Sequence, residues 1–575
     1  MKRRTTNHRQ YRLATAVALL ATLAPVGCTS LLLRTEESEK KLEELASDDV
    51  RLISQFTHPF GLDYVKVESL SLATGLSGTG GDPPPTPQRA ALLDRMQREE
   101  VHNPNEVLAH QDTALVLLRG FLPPGVQEGD RFDIEVKVPS RSNTSSLRNG
   151  WVLSSRMTEL AVLGNQIRSG HVLAVCEGPI LVDPSSTGEE GDGYAVRGRI
   201  LGGGLATKSR PLGLIVTHEH RSPRLSQLIA SQVNLRFHQY DNGRKIGVAT
   251  AKTDEYIELE VHDRYHDNIG RFVRVVRGIA LKESTGQLQQ RLERLTAQLN
   301  DPLTTARAAI RLEAIGDEQA VEILAEAAKS DDAEVKFYAA EALAYLDKTE
   351  AVPTLAEAIR NEPAFRAHAL AALSTMDDVV AYDELRELLS AKSAETRYGA
   401  FRALWTMSSG DPLVQGEQLG DQFSYHVIDV EGPDMVHVTR SFRPEIVLYG
   451  GAQRFKLPMV LDAGAEILVN GLNGDEVTIS RFIVGEPDQT RVVSTSVDEV
   501  IRAIVELGGT YPDVVQALQQ ARDDGALPSR LVVDAIPKSG RRYDREDDGQ
   551  VDPEDAGATP YRLGTPLPDL FSRKK

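Results

Sequence analysis

Histidine pairs are the residues most able to do chemistry in this sequence. His218-Glu219-His220, taken as part of a strand, would present both imidazoles on one face, because strand side chains alternate. His262 and His266 stand four apart around Asp263 and Asp267. Either pair could give two nitrogens to a metal ion. A protein metal site takes three or four ligands, and no third ligand stands at a recognisable spacing. Both pairs therefore read as structural or surface residues. The run Gly202-Gly203-Gly204-Leu205-Ala206-Thr207-Lys208-Ser209 has the look of a phosphate loop but lacks a second Gly directly before the Lys. Gly75 to Gly81 lacks the strand–loop–helix setting of a dinucleotide site. Both glycine runs read as turns. A Gly-x-Ser-x-Gly elbow, a Cys–His pairing and a convincing pair of carboxylates are all missing from the sequence. The chain reads as non-enzymatic, with no catalytic residue, metal site or cofactor.

The two cysteines divide between a leader and a core. Lys2, Arg3, Arg4, Arg9 and Arg12 form a basic start, and Leu13 to Leu23 form an apolar stretch, the pattern of a targeting segment. The leader ends Ala24-Pro25-Val26-Gly27-Cys28-Thr29-Ser30, which resembles a bacterial lipoprotein cleavage site. Cys28 is the expected lipidation site, and Thr29 in place of Asp points to the outer membrane. The alternative is ordinary secretion with the cysteine in the discarded segment. Cys176 then has no intramolecular partner, and within the apolar run Val172 to Cys176 it is expected to be a buried core residue.

The elements that would position these residues follow from length and pattern. A chain of 575 residues suggests about three or four domains on the usual size prior. Its hydrophobic content of 41% and charged content of 26% are those of a globular protein, and its net charge of −18 excludes a nucleic-acid partner. The middle of the chain repeats. Leu312-Glu313-Ala314-Ile315-Gly316-Asp317 aligns with Leu343-Ala344-Tyr345-Leu346-Asp347-Lys348 at a shift of 31. Leu343, Leu373 and Leu404 then continue at shifts of 30 and 31, as do Lys336, Arg366 and Arg397. Turn residues stand at 301, 331, 362 and 392. About four units of two Ala/Leu-rich helices resemble short HEAT-like repeats, an α-solenoid over roughly 286–410. Residues 301–410 hold 11 Lys or Arg against 20 Asp or Glu, a balance of −9. This acidity is either a solvated surface or a face that docks a basic partner protein.

Residues 495–535 read as two amphipathic helices and a strand. Ser496 with Glu499 suggests a capping box, Gly508-Gly509 a stop, Pro512 a helix start and Gly525 a left-handed cap. Upstream stand Val67 to Asp82, Leu115 to Ile134 with its Leu122-Pro123-Pro124 turn, Ser146 to Gly150, Val172 to Val182, and Ser226 to Asn234. These segments, in this order and with Leu507-Gly508-Gly509-Thr510-Tyr511-Pro512-Asp513, resemble the bacterial flagellar P-ring protein family.

The expected fold class is α+β: a β-rich P-ring-like domain interrupted by an all-α HEAT-like solenoid. The expected boundaries are a signal peptide and lipobox at 1–28, a spacer at 29–58, and the β-rich domain at 59–285. The solenoid at 286–410, a β-rich region at 411–494, the C-terminal hairpin and strand at 495–537 and a disordered acidic tail at 538–575 follow. The resemblance implies a ring-forming structural subunit around the flagellar rod in the periplasm. Its partners would be copies of itself, the rod and other ring proteins, with peptidoglycan as a further neighbour. Lipid would tie it to the outer membrane, and the solenoid would bind a further protein. The alternative is a non-flagellar cell-envelope scaffold that keeps the same fold.

Overall fold

The computed structural model describes residues 50–163, 166–182, 195–241, 243–472, 474–538, 540–541, 543 and 563–570. Cys28, the leader and residues 29–49 of the expected spacer lie outside them. The chain is mixed α+β, with sheets at both ends of the described residues and helices between.

The first sheet closes on itself. Strands β1 (Thr57–Phe60), β2 (Val65–Thr74), β3 (Ala114–Leu122), β4 (Arg131–Lys137), β5 (Trp151–Leu163), β6 (Gln166–Pro179), β7 (Leu181–Val182) and β8 (Arg197–Ala206) come first in the chain. Those from β2 to β8 run in the order β4-β3-β2-β5-β6-β8-β7, and β4 also pairs with β8. The pairings are antiparallel, so the result is a barrel with β7 hung on its β8 side. Alternation is plain in β4, where Phe132, Ile134 and Val136 are buried between exposed or half-buried neighbours. They join Val67, Val116, Leu118, Met157, Ala174, Cys176 and Ile200 in one apolar core. Gly120 and Gly204 face the Phe132 ring; a Cβ on either would come within 2.5–2.9 Å of ring atoms. Helices α1 (Pro87–Arg98) and α2 (Pro104–Ala109) sit in the connection between β2 and β3.

A second sheet follows, with β9 (Leu212–Val216), the hairpin β10 (His238–Asp241) and β11 (Arg244–Gly247), then β12 (Ala249–Ala251) and β13 (Tyr256–Leu259). Its order is β1-β9-β13-β12. The expected spacer thus ends early: Ile53 donates its N–H to the Ile279 carbonyl and is fully buried, and β1 already begins at Thr57. Helix α3 (Pro223–Arg236) packs on this sheet. Its Asn234 amide brackets Ala249, accepting from the N–H and donating to the carbonyl, both at 2.8 Å. That is why the short helix carries an Asn near its end.

Helix α4 (Ile269–Arg277) leads into the array. The array itself is α5 (Thr285–Leu299), α6 (Thr305–Ile315), α7 (Glu318–Ala327), α8 (Ala333–Tyr345), α9 (Val352–Asn361), α10 (Arg366–Leu373), α11 (Val379–Leu388) and α12 (Ala394–Met407). Asp317, Asp332, Asp378 and Ser393 cap α7, α8, α11 and α12 by accepting first-turn N–H bonds. Helix α10 is buried along its whole length and α8 everywhere but Ala333 and Lys336, whereas α7 and α11 expose one face. So α8 and α10 form an inner layer that the rest of the chain covers.

Strands β14 (Glu417–Leu419), β15 (Phe423–Ile428), β16 (Met435–Val438) and β17 (Glu445–Tyr449) come next. They are followed by β18 (Met459–Ala463), β19 (Ile467–Gly471), β20 (Glu476–Arg481), β21 (Gln489–Ser494), and finally β22 (Arg530–Val533). They make a mixed sheet β14-β15-β17-β16-β22 and a meander β18-β19-β20-β21. Between β21 and β22 lie α13 (Val497–Glu506) and α14 (Tyr511–Asp523). Val500, Ile501 and Ile504 of α13 with Val514, Val515 and Leu518 of α14 share a core with both sheets.

Candidate interaction surfaces

The sequence-derived chemical candidates are dispersed by the fold. His218 to His220 form a 3-10 turn and not a strand, so alternation does not apply to them. The turn is closed by the His220 N–H donating to the Thr217 carbonyl, and His220 also bonds the Thr217 hydroxyl through Nδ1 and packs edge-on to Phe56. His262 accepts from the Arg264 N–H at the start of a second 3-10 turn, while His266 contacts Asp267. Burial, with help from Arg264, lowers the His262 pKa. Among the described residues no group of three or more His, Cys, Asp or Glu is placed to hold a metal ion. Gly202 to Gly204 are not a turn but part of β8, where the register against β4 shifts and Gly202 takes a φ of +56°. Gly75 and Gly78, in the loop after β2, take positive φ as turn glycines do. Cys176 is fully buried in the barrel, and burial followed by Glu177 pushes its thiol up to about 12.

Two buried charge clusters lie where the array meets its flanks. In the first, Arg271 of α4 meets Glu313 of α6 at 2.6 Å and Glu341 of α8 at 2.6 Å, with all three side chains sealed from solvent. Tyr265 donates to Glu313 at 2.7 Å, and His368 of α10 stands 3.7 Å from Glu341. Burial opposes the Arg271 charge, but Glu313 and Glu341 outweigh it and hold its pKa above the ordinary value. Burial would raise Glu341, yet Arg271 and His368 bring it below the usual carboxylate range. Glu313 is left above that range by burial, which Arg271 only partly offsets. In the second cluster Glu445 of β17 accepts from Arg402 at 3.2 Å and from the Tyr398 hydroxyl at 3.0 Å, both on α12. Burial works against the Glu445 charge, but Arg402 and Arg443 hold its pKa down at about 2. His437 of β16 stacks on Tyr398 at 3.8 Å, and burial lowers its pKa to about 4.

These clusters limit the surface that the array can offer to the expected partner. Its inner layer is covered by α4 at one end and by the β15–β17 sheet at the other, and one apolar core runs through all three. Three of the acidic residues counted for docking, Glu313, Glu334 and Glu341, are buried. The tail is corrected. Within the expected disordered stretch 538–575, Leu563 and Leu570 are buried against the array core, and Tyr543 stacks on Phe365.

The C-terminal hairpin is likewise covered. The Tyr511 hydroxyl donates to the Thr439 carbonyl at 2.6 Å, and Tyr425 donates to Asp498 at 2.8 Å. The expected box at Ser496 is absent: its side chain makes no cap bond, and Glu499 reaches past it to accept from the Ser494 N–H. The capping box stands instead at Thr510 and Asp513, on the second helix. What the hairpin leaves open is the meander beside it. Strand β21 pairs with β20 alone among the described strands, and Phe482, Val484 and Val492 are exposed there.

Sequence reading missed the charge clusters, although one carried a signal. Glu341 stands inside Phe337 to Leu346, a run otherwise of Ala, Leu and aromatic residues. A helix apolar on all sides is buried on all sides, so its carboxylate needs a buried cation. Arg271 and Glu445 lie in short elements whose burial on both faces is not visible locally.

Comparison with known proteins agrees with the resemblances read from the N-terminal segments and from the repeats; Leu507 to Asp513 lie outside both family matches. Residues 57–288 match the family model for the flagellar P-ring protein, and residues 327–405 match that for HEAT repeats. The flagellar P-ring protein of Methylobacillus flagellatus is 27% identical over 201 residues, 33% of this chain and 52% of that protein. The flagellar P-ring protein of Thermotoga maritima is 25% identical over 222 residues, 37% of this chain and 61% of that protein. That of Nitrosospira multiformis is 31% identical over 149 residues, 25% of this chain and 37% of the relative. The chain thus spans about half to three-fifths of the length of the first two relatives. The P-ring family match contains the barrel and the sheet after it; the array lies beyond it.

Proposed function

We propose that this protein is a structural, ring-forming subunit of the flagellar basal body, a P-ring-like collar around the rod in the periplasm that supports motility. The family match over residues 57–288 carries this reading. The barrel and the sheet of β1, β9, β13 and β12 are the family portion, and the array with its covering sheet braces them from behind. Copies would assemble with one another and with rod and ring proteins, and peptidoglycan would lie alongside. The open β21 edge, with Val492 exposed on the strand and Phe482 and Val484 exposed in the connection before it, supplies a surface for strand pairing between copies. Cys28 would carry lipid and hold each subunit to the outer membrane. The array acts here as an internal brace, in place of the free docking arm expected from its acidity.

Basal bodies purified from flagellated cells of the source organism test this reading. The protein should co-purify with them, and its deletion should abolish motility. A motile deletion strain whose basal bodies never contain the protein would leave the non-flagellar envelope scaffold. That second reading draws on one observation: the array and both C-terminal sheets lie outside the P-ring family match. Intact mass of the mature chain, with and without Cys28→Ala, tests the anchor; a mature chain starting elsewhere without acyl mass removes it.

A further inference from the structure

Residues 563–570, Leu-Gly-Thr-Pro-Leu-Pro-Asp-Leu, form neither helix nor strand, yet backbone bonds from Gly564, Pro566 and Asp569 hold them against the array. The Gly564 N–H donates to the Tyr338 hydroxyl of α8 at 3.1 Å, and the Gly564 carbonyl accepts from Arg274 of α4 at 2.9 Å. Asn268 donates to the Pro566 carbonyl at 3.4 Å, and the Asp569 N–H donates to the Asp267 carbonyl at 2.6 Å. The Thr565 hydroxyl meets His368 Nδ1 of α10 at 3.2 Å. Leu563 and Leu570 are buried at the two ends, while Leu567 between them is 56% exposed. The pattern is that of a peptide bound in a groove: backbone bonds along its length, two apolar anchors, and a side chain left in solvent.

The groove also selects. A Cβ on Gly564 would lie 2.5 Å from the Ala306 Cβ, so a larger residue does not fit there. Pro566 sits over Gly270, whose built Cβ would stand 3.0 Å from the proline Cβ. Pro566 and Pro568 have no N–H to leave unpaired on the groove wall and restrict the free peptide, which lowers the entropy lost on binding.

We propose that the groove lined by Asn268, Gly270, Arg274, Tyr338 and His368 is a binding site for a proline-containing peptide, with residues 563–570 of the same chain as its resident ligand. The site requires neither a flagellar role nor assembly into a ring.

The test uses the full chain. In the double variant Leu563→Asp and Leu570→Asp the anchors are lost and the groove opens. A fluorescently labelled peptide of sequence 563–570 should then bind at least tenfold more tightly to the variant than to the wild type, read by anisotropy. The same peptide with Ala at the position of Gly564 should lose that binding. A folded variant that binds neither peptide, or both alike, overturns the proposal. Should the variant lose its fold, Gly270→Cys with Pro566→Cys, in a Cys28→Ser background, decides the matter. Mild oxidation should close a disulfide within the monomer, because the two Cβ positions lie close to disulfide range. No cross-link, or only cross-links between copies, overturns the cis assignment.

Discussion

The barrel and the array solve the same burial problem in opposite ways. The barrel closes on itself through the β4–β8 pairing, so its core is finished by its own strands. Its buried polar atoms are few and local, such as Ser71 and Ser155, which bond each other at 2.7 Å. The array cannot close. Helices α8 and α10 are buried on nearly every side, and segments distant in sequence cover them: α4, the β15–β17 sheet and residues 563–570. Where those segments meet the array, charge is buried at Arg271 and Glu445. A solenoid unit buries one face on the next unit, and a remaining apolar face needs an outside partner. Here the partner is the chain itself.

The largest test of this contrast is removal of residues 286–410 with a Gly/Ser bridge. Hydrogen exchange should show β2–β6 of the barrel still protected, while residues 212–281 and 423–449 lose protection with their shared core. Full protection of 423–449 would restore the array as a dispensable insertion.

Next in size is Arg271→Met. Leaving Glu313 and Glu341 buried without their cation should cost about 3–5 kcal/mol by urea denaturation. Adding Glu313→Gln and Glu341→Gln should recover part of that loss, since the uncompensated charge is then gone. A loss below about 1 kcal/mol for the single variant would show that the cluster is not sealed.

The two regions should also fail at opposite ends of the pH scale. Glu445 is held at about 2 against an ordinary 4.5, so its contribution is complete above 4.5 and is lost as pH falls towards 2. His437, at about 4 against 6.5, contributes fully above 6.5 and loses that contribution as pH falls to 4. At about 1.4 kcal/mol per pKa unit each is worth roughly 3 kcal/mol. In the barrel, Cys176 is raised from 9 to about 12, so its contribution is full below 9 and fades as pH climbs to 12. Exchange of peptides from 423–449 should therefore accelerate in acid before that of the barrel, and the order should reverse in alkali.

The smallest effect belongs to Ile134→Val in the barrel. It should cost about 0.5–1.5 kcal/mol and leave the array's exchange unchanged, because the barrel core is separate. Transmission to α8 or α10 would mean that the two cores are coupled.

Much of this molecule is determined by local pattern. Alternation at Phe132, Ile134 and Val136 makes a strand wherever it is placed, and a repeat near thirty residues with Ala/Leu helices makes stacked pairs. Gly508 and Gly525 end their helices at positive φ because only glycine enters that region freely. The burial of Cys176 follows from the apolar strand around it. What the pattern could not decide is what covers what. The three-residue turn at His218 to His220 is set by its neighbours, since so short a segment has no periodicity of its own. Gly202 to Gly204 became a strand bulge, and there Ile134 and Phe132 on the facing strand fill the space at Gly204 while Ile200 fills that at Gly203. Glu341 and Glu445 are ionised in the interior only because Arg271 and Arg402, dozens of residues away in sequence, are brought against them. Such pairings are set by long-range packing, and a sequence read along one dimension carries the propensity of each element but not the identity of the surface that completes it.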